Sequence, residues 1–103
     1  MARFEVYANP EEELRDTVPY WLDVQNTYLD IETRVVVPLH SPSHFQGEIS
    51  DLSPTLFVEG KPLVMNTSAL GAVPVFELRR AVANLTSQQA AIQNALDTLF
   101  GGY

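Results

Sequence analysis

Apolar and polar residues along this chain alternate in short runs for most of its length and take a helical period only at the carboxyl end. Phe4-Glu5-Val6-Tyr7 alternates as a strand with one buried face does, and it ends at Asn9-Pro10. Tyr20 to Gln25 puts Tyr20, Leu22 and Val24 on one face and Trp21, Asp23 and Gln25 on the other, with Trp21 read as a packing residue. The β-branched run from Arg34 to Leu39 is apolar on both faces, which suits a central strand ending at Pro38. Thr55-Leu56-Phe57-Val58 and Leu63-Val64-Met65 flank Glu59-Gly60-Lys61-Pro62, a hairpin signal with Gly60 available for positive φ. Val73 to Leu78 resumes strand character, and Pro74 places it at an edge or a bulge.

The connections are polar or small. Glu11 to Asp16 reads as a solvated loop or a short helical turn, His40 to Asp51 as a loop with room for one helical turn, and Thr67 to Gly71 as a linker. Arg79 to Asn84 reads as a lead into the last element. Tyr28-Leu29 is out of keeping, because it sets two large apolar side chains in a connection that needs none.

From Thr86 to the end the period changes. Ile92, Ala95, Leu96 and Leu99 recur on one helical stripe, while Gln89, Gln93 and Asp97 fall on the other side. Thr86 with Gln89 predicts a capping box, Leu85 a hydrophobic staple, and Gly101-Gly102 a left-handed stop. Phe100 and Tyr103 are left over. In a generic domain Phe100 would cap the core and Tyr103 would be an inert end. Several short strands with one terminal helix predict a single domain over residues 1–103, mainly β, as a compact antiparallel barrel or meander with the helix packed beside it.

Charge narrows the partners. Thirteen Asp and Glu against six Lys and Arg give a net charge of −7, and the basic residues are scattered, so no stripe exists to track a phosphate backbone. With no cysteine there is no disulfide framework and no thiolate metal site, and no amino-terminal apolar segment or run of bilayer length stands out; the expectation is a soluble cytoplasmic protein with no membrane contact. Chemical motifs are sparse. His40 and His44 are four apart but separated by Pro42, which favours surface imidazoles over a metal site; no nucleophile elbow or phosphate loop occurs, and Glu11 to Glu13 lie where nothing raises a pKa. No catalytic residue, cofactor or metal is expected.

The ordered motifs Phe4-x-Val6-Tyr7, Asp23-Val24-Gln25, Arg34-x-Val36-x-Pro38-Leu39, Leu52-x-Pro54, Val73-Pro74-Val75, Ala83-x-Leu85, Ile92-x-Asn94-Ala95 and Phe100-x-Gly102 run nearly end to end. Each is weak alone, but together, at this spacing and chain length, they resemble the CcdB family of toxin–antitoxin toxins. The resemblance implies an SH3-like barrel, shared with MazF-like proteins, with a C-terminal helix. It also implies a homodimer whose two tails meet near the twofold axis and which poisons DNA gyrase without catalysis, by binding the gyrase A subunit and trapping the cleaved-DNA complex. A cognate CcdA-like antitoxin would neutralise the toxin, and operator DNA would be reached only through it. Carried over position by position, the gyrase-binding residues would be Tyr28, Leu29, Asp97, Phe100, Gly101, Gly102 and Tyr103.

The chain departs from the family pattern at three of these. Gly101 stands in place of a tryptophan, Asp97 in place of an amide, and Tyr103 in place of an aliphatic residue. Topoisomerase IV as the target, a homologue that binds antitoxin without poisoning, and a MazF-like endoribonuclease therefore stand as alternatives; net acidity and the lack of a basic catalytic pair weigh against the last.

Overall fold

The structure, a computed structural model, describes residues 1–102, so the expectation for Tyr103 lies outside the described residues. Among the described residues the strands are β1 (Glu5–Ala8), β2 (Tyr20–Asp23), β3 (Thr33–His40), β4 (Thr55–Val58), β5 (Lys61–Met65), β6 (Gly71–Pro74) and β7 (Ala81–Asn84), followed by one α-helix, α1 (Gln89–Phe100). Every pairing is antiparallel, in the order β4-β5-β3-β2-β1-β7, with β6 also against β3. The expected barrel takes the form of a curled sheet, a half-barrel closed at one side by α1.

The alternations explain the core. Phe4, Val6, Leu22, Val37, Leu39, Leu56, Val58 and Met65 from the sheet meet Ile92, Ala95 and Leu96 from the helix in one buried cluster. Each fully buried Leu or Ile in it contributes about 1.5–3 kcal/mol. On the other face of the sheet Tyr7, Val36 and Leu78 form a smaller cluster with Trp21 against it, which is why β3 is apolar on both sides.

Several local readings change, among them the strand expected over residues 73–78, which is β6 only to Pro74 and continues as a 3-10 turn at Val75–Glu77. β3 runs through Pro38 to His40, because the missing donor falls where the outer neighbour of β3 changes from β6 to β5. There Asn66 donates its N–H to the Pro38 carbonyl at 3.0 Å, and the Asn66 carbonyl accepts the Ala69 N–H at 3.1 Å in place of a proline donor. Ala81 to Asn84 is a strand rather than a lead-in, paired with β1. Phe4 is not part of β1: its φ of 72° is left-handed, with its N–H on the Asp23 carbonyl at 2.7 Å and its carbonyl receiving Leu85 N–H at 2.8 Å. That conformation costs on the order of 1–3 kcal/mol, offset by the buried ring and two satisfied backbone groups.

The helix start also differs. Residues 86–88 form a 3-10 turn, α1 begins at Gln89, and no side chain caps its first turn. The Thr86 N–H goes to Asn84 Oδ1 at 2.9 Å, so asparagine organises the turn instead of a Thr86–Gln89 box. Gln88 is drawn elsewhere. Its amide accepts the Phe57 N–H at 2.9 Å and donates to the Phe57 carbonyl at 2.8 Å, covering the outer edge of β4, which pairs only with β5. The β4–β5 hairpin turns on Glu59 and Gly60, both at positive φ (52° and 80°), matching the right-handed twist of its strands.

Candidate partner-binding face

The helix end is built by its own termination. Gly101 adopts φ 71°, ψ 39°, and Gly102 donates its N–H to the Asp97 carbonyl at 2.9 Å, the long-range bond of a Schellman-type turn. Phe100, the last helical residue, stands at i+4 from Leu96, at the edge of the apolar stripe, yet it is 70% exposed, so it does not cap the core. A Cβ at Gly101 would meet nothing within 4 Å, whereas one at Gly102 would come within 3.0 Å of Asp97 Oδ1. The stop therefore needs glycine at 101 for its backbone, while a Cβ at 102 would require the Asp97 side chain to give by a few tenths of an ångström.

The connection from β2 to β3 is built from below. Arg34 is 3% exposed and Asp23 fully buried; the guanidinium donates Nε to Asp23 Oδ2 at 2.7 Å and Nη2 to Asp23 Oδ1 at 2.9 Å. Its remaining donors go to the carbonyls of Gln25 (3.0 Å), Asn26 and Leu29 (3.2 Å each). All five guanidinium N–H groups are thus used, two on a buried carboxylate and three on the backbone of the connection itself. Asn26 completes the turn by accepting Tyr28 N–H at 2.9 Å on Oδ1. Held in this way, Tyr28 is 93% exposed and its neighbours Leu29 and Ile31 are also exposed.

Arg3 joins the two regions. Its backbone N–H bonds to Thr27 Oγ1 at 2.9 Å, Nε to the Val24 carbonyl at 3.1 Å and Nη2 to Gln93 Oε1 at 2.8 Å, while Gln93 Nε2 donates to Asp97 Oδ1 at 2.9 Å. The guanidinium also sits 4.7 Å from the centre of the Phe4 ring. A groove of about 370 Å³ lined by Leu70, Leu96, Asp97 and Phe100 and another of about 540 Å³ lined by Thr27 and Tyr28 share Arg3 and Val24.

The structure therefore brings Tyr28, Asp97 and Phe100 to one face around Arg3, with Gly102 against Asp97. Leu29 faces another groove, with Ile31 and Arg34, and Gly101 faces open space. Sequence reasoning missed Arg3, Gln93, Ile31 and the Asp23–Arg34 pair. Ile31 carried a signal, as an apolar residue in a polar connection; the ion pair carried only that of two charges inside strand-like runs, and Arg3 carried none.

Elsewhere, His40 Nε2 lies 3.2 Å from Asn66 Nδ2, and burial lowers the His40 pKa from its ordinary value. Among the described residues no three His, Cys, Asp or Glu side chains group as metal ligands. No helix among them is long and apolar enough to cross a membrane. Compared with known protein families, residues 3–102 of the 103-residue chain match the family described as CcdB protein.

Proposed function

Because the chain belongs to the CcdB family, whose general role is that of a toxin–antitoxin gyrase poison, we propose that it acts as a homodimer that binds the gyrase A subunit and traps the cleaved-DNA complex without catalysing a reaction of its own. The observation that carries the reading is the pair of exposed rings, Tyr28 and Phe100, on either side of Arg3. Large apolar side chains displayed on a preorganised frame are costly in water and valuable at an interface, where aromatic anchors supply most of the binding energy. Asp97, Gly101, Gly102 and Tyr103 belong to the same proposed contact, and Leu29 to its margin. Twofold symmetry would double the face, which suits a target that is itself a symmetric dimer.

A cognate CcdA-like antitoxin, with operator DNA contacted through it, completes the proposal. A second reading, topoisomerase IV as target, is favoured by one observation: where the family pattern carries a tryptophan, this chain has Gly101 in a left-handed conformation facing open space. A different contact surface suits a different groove.

Supercoiling and DNA-cleavage assays with purified gyrase and, in parallel, topoisomerase IV test both readings. Trapped cleavage by the parent protein at micromolar concentration, lost in a Tyr28→Ala/Phe100→Ala double variant, is the expected result with one of the two enzymes. No trapped cleavage with either would overturn the proposal.

A further inference from the structure

Asp97 stands on the partner-binding face with one carboxylate oxygen unspent. Oδ1 accepts Gln93 Nε2 at 2.9 Å, and among the described residues nothing bonds Oδ2. The groove of about 370 Å³ that Asp97 lines is shared with the apolar side chains of Leu70, Leu96 and Phe100. It thus joins an apolar channel to a single negative charge.

Arg3, the one cation among the residues that line this groove, is placed to neutralise that charge and does not. Its Nη2 donates to Gln93 Oε1 at 2.8 Å and its Nε to the Val24 carbonyl at 3.1 Å, while the guanidinium rests 4.7 Å from the centre of the Phe4 ring. The Gln93 amide therefore lies between the two charges, accepting from one and donating to the other, and no ion pair joins them. With Arg3 directly on Asp97 the face would carry a closed pair. With the neutral spacer in place the carboxylate stays open.

We infer that Asp97 is a specificity-determining residue that receives a lysine or arginine side chain of the topoisomerase, and that Gln93 is the positioning residue that keeps it open. This rests on the topoisomerase reading. The stem of the incoming side chain packs along Leu70, Leu96 and Phe100 while its head meets Oδ2. Charge selects this occupant. The chain carries −7, and an enzyme that holds cleaved DNA presents lysine and arginine around the phosphates. A carboxylate can only accept, so a target group that is itself acidic is refused.

Binding and trapped cleavage, measured with intact gyrase and intact topoisomerase IV at low and high salt, are the test. For the enzyme that the parent traps, Asp97→Asn should bind about tenfold more weakly at low salt, with the gap narrowing as salt is raised, and Asp97→Lys more weakly still. Gln93→Ala, which lets Arg3 close on Asp97, should weaken binding about as much. Adding Arg3→Met to Gln93→Ala should recover part of that loss, which a merely structural role for Gln93 does not give. Glu48→Gln, a charge removed from a groove that shares no lining residue with this one, should change affinity less than about twofold. Gln93 is exposed and Asp97 partly so, and circular dichroism verifies that each variant keeps the parent fold. Equal binding by parent and Asp97→Asn at low salt, or an equal loss in Glu48→Gln, would overturn the inference and leave the topoisomerase reading standing. Trapping with neither enzyme would overturn that reading and the inference with it. Sedimentation showing self-association of the parent that Asp97→Asn abolishes would overturn it in favour of a contact between copies.

Discussion

The turn between β2 and β3 and the tail after α1 each display one bare aromatic ring, Tyr28 and Phe100, yet they are held in opposite ways. Beneath the turn lies a buried bidentate ion pair whose guanidinium also clamps three carbonyls of the connection. Beneath the tail lie a left-handed glycine stop and an exposed relay from Asp97 through Gln93 to Arg3. The first arrangement takes its rigidity from the interior and the second from its own backbone. A buried change should therefore disturb the turn from a distance, while the tail should respond only to changes within it.

The sharpest way to break that contrast is Arg34→Met. Leaving Asp23 as an unpaired buried carboxylate should cost about 3–5 kcal/mol in chemical denaturation, and amide exchange at Asn26 to Leu29 should speed up while that of α1 stays slow relative to global unfolding. Pairing it with Asp23→Leu, which removes the stranded charge, should recover much of the stability without restoring the turn, since the carbonyl clamps remain lost. Recovery of turn protection in the double variant would contradict the clamp.

Phe100→Ala is expected to do the reverse. It should lower affinity for the proposed topoisomerase target by about 2 kcal/mol, roughly thirtyfold, with almost no shift in the thermal midpoint, because the ring is already largely in solvent. Smaller again is Gly101→Ala, which forces a Cβ into a left-handed conformation and should cost about 1 kcal/mol in denaturation even though the space beside it is empty. An unchanged midpoint would mean that the stop does not depend on glycine.

The least effect is a control lying in neither region. His40 has a folded pKa below its ordinary 6.5, for the reason that burial disfavours the charged ring. The unfolded chain then takes up the proton more readily, so this contribution to stability is intact above about pH 6.5 and declines as the pH falls through that value toward the folded pKa. Urea midpoints measured between about pH 7.5 and 5.5 should fall less steeply for His40→Gln than for the parent, and Phe100→Ala should leave the slope alone.

The residue pattern alone determined the strand-rich body, the Glu59-Gly60 hairpin, the helical stripe of Ile92, Ala95 and Leu96, and the glycine stop, since each depends on a period or a backbone preference within a few residues. It also marked Tyr28-Leu29, because an apolar pair outside any pattern is visible without coordinates, whereas the exposure of Phe100 was decided by the structure. Tertiary structure alone decided that Arg34 reaches Asp23 eleven residues away, that Arg3 ties the amino terminus to Gln93 of the helix, and that Gln88 covers the edge of β4. Such contacts follow from how the sheet curls, and a charge in a strand reads the same in sequence whether it ends in water or on a buried partner.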